Sequence, residues 1–265
     1  MSAPRFSKSG IEYIDRMWGV YSGCRNLDAG ICHVTACWAR GLVKRSPKNY
    51  PMGFDEPTFY HEARHSPKTV KRPLRIGVGW VGDIIGYGLF CRDQVFSTIE
   101  ATPWHTYLFL TKNPETLPSW NPFPDNCWVG VTVTANGDAP GAYYGLSQTK
   151  ARVRYISFEP LAGQIGTDEL KQLAMVTDWW IIGGQTQPSK PPRLEWVREI
   201  AMAGLRAGIP VFLKENLRDL FIPNVKGIPN ALMDDIFWAD EKCHLRQELP
   251  LQRPLELVSG LDGRD

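Results

Sequence analysis

No stretch of the chain approaches the roughly 20 uninterrupted apolar residues of a membrane-spanning helix, and the opening MSAPRFSKSG has no apolar segment that would direct secretion. A cytoplasmic location is the expectation. An excess of one charge is also missing: 30 Lys and Arg stand against 28 Asp and Glu, so net charge neither suggests nor excludes a nucleic-acid partner. Low-complexity tracts and collagen-like periods are absent, which excludes the disordered and fibrous classes. Cysteine is sparse. Six in 265 residues are too few for a disulfide scaffold, and a reducing compartment keeps them as thiols available to a metal or to catalysis.

Glycine (24) and proline (21) are plentiful, so many tight connections are expected. Between them, short runs rich in Val, Ile and aromatics read as strands: Met17 to Tyr21, Arg75 to Trp80, Thr106 to Leu110, Cys127 to Val133, Val153 to Phe158, Trp179 to Ile182 and Val211 to Leu213. Helical segments are expected over His33 to Lys44, Arg92 to Ala101, Gly141 to Lys150 and Leu194 to Arg206. Runs apolar on both faces, such as Trp179-Trp180-Ile181-Ile182, suit strands covered on both sides. The alternation predicts an α/β fold with a parallel sheet and outer helices, and about seven units favour a partial (β/α) barrel of six to eight units over an open doubly wound sheet. It stops near Asn216. Residues 1–216 form the expected barrel, and 217–265, with four prolines and no clear apolar period, a loop-rich C-terminal extension packed on it. The basic residues Arg64, Lys68, Lys71, Arg72 and Arg75 precede a strand, hence lie near the barrel's N-terminal face, and read chiefly as solvated surface.

Functional groups in (β/α) barrels project from the C-terminal ends of the strands. Those positions hold the loop containing Cys24, Cys32 and Cys37, then Asp83, Thr111-Lys112, Thr132 with Thr134 and Asn136, Glu159, Gly183-Gly184-Gln185, and Lys214-Glu215. Three thiols on one loop suit a four-iron cluster with one iron left open. A Cys3His zinc site using His33 competes, as does the plain reading that these cysteines are small buried hydrophobes. Charged residues at a barrel mouth are costly unless paired or used, so Lys112, Glu159 and Lys214 serve either as structural ion pairs or as site residues. His105 is expected to be structural, His61 and His65 surface, and Cys91, Cys127 and Cys243 ordinary thiols.

The motifs Trp18-Gly-Val-Tyr-Ser-Gly-Cys24, Cys37-Trp38-Ala39, Val81-Gly82-Asp83-Ile84-Ile85, Leu110-Thr111-Lys112-Asn113-Pro114, Trp128-Val-Gly-Val-Thr-Val-Thr134, Ile156-Ser-Phe-Glu-Pro-Leu161, Trp180-Ile-Ile-Gly-Gly-Gln185 and Gly208-Ile-Pro-Val-Phe-Leu-Lys214 run in order through residues 16–216. Together they resemble the phage-associated three-Cys-motif proteins, a family similar to radical S-adenosylmethionine (radical SAM) enzymes. The resemblance implies a four-iron four-sulfur cluster on Cys24, Cys32 and Cys37. It implies S-adenosylmethionine held near Trp38, Gly82, Asp83, Thr111, Thr132, Gly183, Gly184 and Gln185, with Lys112, Glu159 and Lys214 as catalytic residues. The implied reaction cleaves S-adenosylmethionine to a 5'-deoxyadenosyl radical that attacks a substrate, a nucleotide or nucleic acid in the leading reading. Implied partners are an electron donor such as a flavodoxin or ferredoxin and a three-Cys-motif partner protein. The Cys loop is longer than the family's usual one, and Gln185 stands where a Glu is common. The alternative is a non-catalytic barrel with a structural zinc or no metal that binds nucleic acid or a protein partner. Metal-dependent hydrolysis on Asp83 and Glu159 ranks last, because no His-rich ligand set accompanies them.

Overall fold

The structure, a computed structural model, describes residues 6–32, 37–186, 188–221, 236–240 and 244–250. His33, Cys243, residues 33–36 of the first expected helix and much of the expected extension lie outside the described residues. The strands are β1 (Phe6–Lys8), β2 (Arg16–Trp18), β3 (Tyr21–Gly23), β4 (Thr58–Phe59), β5 (Arg75–Val78), β6 (Val81–Gly82), β7 (Thr106–Thr111), β8 (Cys127–Thr132), β9 (Val153–Phe158), β10 (Trp179–Ile182), the hairpin β11 (Gln185–Thr186) and β12 (Ser189–Lys190), and β13 (Val211–Leu213). The helices are α1 (Trp38–Arg45), α2 (Ile84–Tyr87), α3 (Arg92–Glu100), α4 (Ala139–Ser147), α5 (Thr167–Val176), α6 (Leu194–Arg206) and α7 (Arg218–Phe221).

The main sheet has the order β1-β2-β5-β7-β8-β9-β10-β13. From β2 to β13 every pairing is parallel, and β1 runs antiparallel along β2. Each new parallel strand is laid beside its predecessor, so the sheet never doubles back. Hydrogen bonding leaves it open, with no pairing between β1 and β13. Past β13, Leu213 donates to Arg246 O and Glu248 to Val211 O, at 2.8 and 3.1 Å, which lays residues 245–248 antiparallel along that edge. Phe221, Phe237, Trp238 and Leu245 belong to the same core as the sheet.

Alternation along the strands separates two faces. Ile76, Tyr107, Phe109, Val129, Ile156 and Trp180 pack under α3 to α6, joined by Phe96, Leu146, Leu173, Val197 and Ile200. Burying each such aliphatic or aromatic side chain contributes about 1.5–3 kcal/mol. The helix α6 lies so close that a Cβ at Gly204 would come within 2.7 Å of Val211 Cγ2. The opposite, helix-free face carries Leu108, Trp128, Tyr155, Trp179 and Phe212. Tyr13, on the β1–β2 connection, fills it: its ring meets Trp179 and Phe212 edge-on, with centroids 5.3 and 5.4 Å away. Tyr155 lies directly over Gly130, and its hydroxyl donates to Phe109 O at 2.8 Å.

The predicted first strand is two strands in two sheets. Chain direction changes after Trp18, and Tyr21–Gly23 joins β4 and β6 in a small sheet of its own. The stretch between β5 and β6, Gly77-Val-Gly-Trp-Val-Gly82, spells a G-x-G-x-x-G pattern, yet Gly77 lies within β5 and Gly82 within β6. It therefore does not form the phosphate turn that opens a helix in dinucleotide-binding folds.

Candidate functional site at the strand ends

The small sheet sets the Cys loop. Gly23 has φ +109, a conformation open to glycine, and a Cβ there would meet Glu56 O and Pro57 Cα at 2.8 Å. A Cβ on Gly82 would strike the Gly23 backbone, so these two glycines let β3 and β6 touch. Cys24 follows at once, its N–H bonded to Phe54 O at 3.0 Å. Asn26 then ties the loop to itself. Its N–H points to Cys24 Sγ at 3.4 Å, and its carbonyl accepts from Ile31 and Cys32 at 2.8 and 2.9 Å. Cys37 caps α1 and accepts from Arg40 N at 3.5 Å. Arg40 reaches Asp28 and Asp55, each at 2.8 Å, fastening the loop to residues 52–56.

All three thiols are half-buried, and Cys24 and Cys37 pack on the same small cluster of Ala39, Val43 and Phe54. Burial pushes the Cys24 thiol up to about 12, against the Asn26 N–H, with Asp83, Cys32 and Cys37 adding to the rise. Among the described residues no three His, Cys, Asp or Glu side chains are gathered closely enough to hold a metal ion. Trp38, at the start of α1, is 54% exposed.

Asp83 is buried and fully engaged. Its Oδ2 accepts from Asn26 Nδ2 (2.7 Å), Thr111 Oγ1 (2.9 Å) and Lys112 N (3.0 Å), and its Oδ1 from Gly86 N (2.9 Å) as the cap of α2. Tyr87 closes the ring by donating to Asn26 Oδ1 at 2.9 Å. One carboxylate thus holds the Cys loop, the end of β7 and α2 together.

A pocket of about 260 Å³ opens at the ends of β7 and β8, lined by Cys32, Lys112, Asn113, Thr132, Thr134 and neighbours. A larger hollow of about 370 Å³ lies between Arg25, Asp28 and Met52–Glu56, and it contains no residue from the end of a main-sheet strand. Further along the sheet Lys214 donates to Glu159 at 2.7 Å, with Glu12 Oε2 3.7 Å from the same ammonium. Glu12 Oε1 accepts from Glu215 N at 3.1 Å. Burial raises the Glu159 carboxyl above its ordinary value, the Lys214 ammonium opposing it. Gly183 makes room: a Cβ there would lie 3.0 Å from Cδ of both Glu159 and Lys214.

The expected site residues therefore fall into three groups: Gly82, Asp83 and Thr111 around Cys24; Lys112 and Thr132 with Cys32 in the pocket; and Glu159, Gly183 and Lys214 in the buried pair. Two residues stand apart. The Gly184 backbone is clasped by Asn216, and Gln185 donates to Pro188 O inside the β11–β12 hairpin. Asn26 and Glu12 join the site without having been singled out. Glu12 had no signal, for it meets a residue 203 positions away.

No curated protein and no solved structure matches the chain. A family model does match, over residues 8–218, and the chain belongs to that family, described as "Protein of unknown function (DUF5131)".

Proposed function

We propose that the chain is an iron–sulfur enzyme of the radical SAM type, its sheet rolled into a partial barrel and its cluster held by Cys24, Cys32 and Cys37. The observation that carries the reading is the position of the Cys loop. It sits over the C-terminal ends of a parallel sheet laid down in sequence order, with Cys32 in one pocket with the strand-end residues Lys112 and Thr132. Rolling is supported by Tyr13, which brings the β1–β2 connection onto Trp179 and Phe212 at the far end of the sheet.

The donor chemistry fits. Thiols select soft metal centres, and N–H groups aimed at Cys24 and Cys37 are the kind of contact that tunes thiolate ligands. The loop must still draw its three sulfurs together, over a span that includes residues 33–36. When bound, the cluster supplies one electron that cleaves S-adenosylmethionine to methionine and a 5'-deoxyadenosyl radical, drawn from a flavodoxin or ferredoxin. Asp83 anchors the loop against the end of β7. Lys112 places a cation in the pocket, while Glu159 and Lys214 form a buried polar layer above the aromatic filling of the sheet. A nucleotide or nucleic acid is the substrate class of this reading.

Anaerobic reconstitution with iron and sulfide tests it. Iron near four per chain is expected, falling in Cys24→Ser, Cys32→Ser and Cys37→Ser, with 5'-deoxyadenosine formed from S-adenosylmethionine under dithionite. Colourless protein that releases no 5'-deoxyadenosine overturns the proposal. One zinc per chain turns the reading to a structural site on a non-catalytic barrel.

A further inference from the structure

We infer that Arg64, Lys68, Lys71 and Arg72 form a docking surface for the sugar–phosphate backbone of a nucleic acid, at the end of the sheet opposite the Cys loop. The place follows from the strands. Residues 61–72 run up to Arg75, where β5 begins, and they are bonded to Trp104 and His105, which lead into β7 at Thr106. The Cys loop meets the other ends of the sheet strands.

The segment is fastened from within. Ala63 and Pro67 are buried. Ala63 O accepts from the Trp18 indole at 2.8 Å, Pro67 O bonds His105 Nε2 at 3.1 Å, and Val70 O accepts from the Trp104 indole at 3.0 Å. Around these anchors the charge is carried outward: Arg64 and Lys68 are half-buried, Lys71 and Arg72 exposed. Cations on a fixed scaffold lose little backbone freedom when they meet an anion.

Their charge is uncompensated. Among the described residues none of the four meets a carboxylate. Arg64 instead lies 3.2 and 3.0 Å from His65 Nε2, and the Lys71 ammonium sits 4.8 Å from the centre of the Trp104 ring. Glu62 is the one carboxylate in residues 61–75, and Arg75 turns to Asp15 at 3.5 Å. Desolvation, then the Arg64 and Lys68 charges, hold the exposed His65 ring below its ordinary value.

The surroundings select the partner. Along the chain, the nearest exposed large apolar side chains are Met52 and Leu89, well outside the segment. A protein partner is gripped at aromatic or aliphatic anchors and a membrane surface by inserted ones, whereas a phosphate backbone is held by cations alone. Arginine also matches phosphate with two parallel hydrogen bonds.

The inference does not rest on the iron–sulfur reading, and its test uses the metal-free full-length chain. Fluorescence anisotropy with a labelled DNA duplex of about 20 base pairs, and with its single strand, is followed from about 50 to 200 mM salt. Binding is expected with at least one of the two, its affinity falling steeply as salt rises. Lys68→Gln with Arg72→Gln weakens it about tenfold or more at the lower salt and flattens the salt slope by about one per cation removed. Arg72→Lys keeps the slope, and Lys190→Gln, on the exposed β12, leaves affinity and slope unchanged. Arg72→Gln alone is the second probe if the double variant melts early. No binding, or binding whose affinity and slope these variants leave intact, overturns the surface. Equal displacement by poly-glutamate also overturns it and turns the patch to an acidic protein segment. Cluster loading, whether it succeeds or fails, moves none of these results.

Discussion

The side-chain amide of Asn26 donates to Asp83 across 2.7 Å, so the residue two places beyond Cys24 is pinned by the same carboxylate that holds Thr111 and the Lys112 backbone. The Cys loop and the pocket wall share one anchor. Replacing Asp83 by Asn keeps the shape but turns an amide donor toward donors. The expected loss is about 3 kcal/mol, the scale of one or two hydrogen bonds to a charged group. Thiol labelling of Cys24 and Cys32 should speed up in Asp83→Asn. Equal labelling rates and an unshifted urea midpoint would show that the anchor is not needed.

Gly183 leaves space for the Glu159–Lys214 pair. Gly183→Ala presses a methyl against both side chains at once, for an expected cost of about 1–3 kcal/mol. Gly137→Ala, where a Cβ meets nothing within 4 Å, should stay within about 0.5 kcal/mol of wild type. Thermal melts of the two variants separate the cases.

Gly130→Ala is expected to cost more than Gly183→Ala, because its methyl would enter the Tyr155 ring, which is anchored by its own hydroxyl on Phe109 O. The penalty should shrink in a Tyr155→Leu background, as a double-mutant cycle reads directly. Additive effects would place the strain elsewhere.

His105 gives a pH prediction. It is buried beside Pro67 O and the Trp104 indole, and burial, aided by Lys71, lowers its imidazole below the ordinary value of about 6.5. The fold therefore favours the neutral ring. Its contribution to stability is present above about 6.5 and is lost as pH falls through the lower folded value. Urea unfolding between pH 8 and 5 should show wild type losing more stability on acidification than His105→Gln. Parallel slopes would count against it.

Several parallel strands were legible as short runs rich in apolar residues: Val153 to Phe158, Trp179 to Ile182 and Val211 to Leu213 agree with β9, β10 and β13. Leu194 to Arg206 likewise agrees with α6, whose Val197, Ile200, Ala201 and Gly204 recur at helical spacing. Elements held by tertiary pairing were not legible. β1, the short α2 capped by Asp83, and residues 245–248 have little pattern of their own, and α5 was passed over despite Leu170 and Leu173 at helical spacing. In the site, charge at strand ends pointed to Lys112, Glu159 and Lys214. Gln185 donates to Pro188 O within the β11–β12 hairpin, a contact that the charge pattern does not reveal. Sequence order cannot show that Glu12 will sit beside Lys214, since the two are far apart in the chain and meet only in the folded structure.

Both margins of the sheet are finished by short antiparallel segments, β1 on one side and residues 245–248 on the other. The interior strands therefore offer no bare backbone onto which another chain can zip. A fragment cut at residue 218, where the family match ends, would strip the covering from Val211–Leu213. Such a fragment should self-associate and stick to strand-like peptides, whereas the full-length chain stays dispersed.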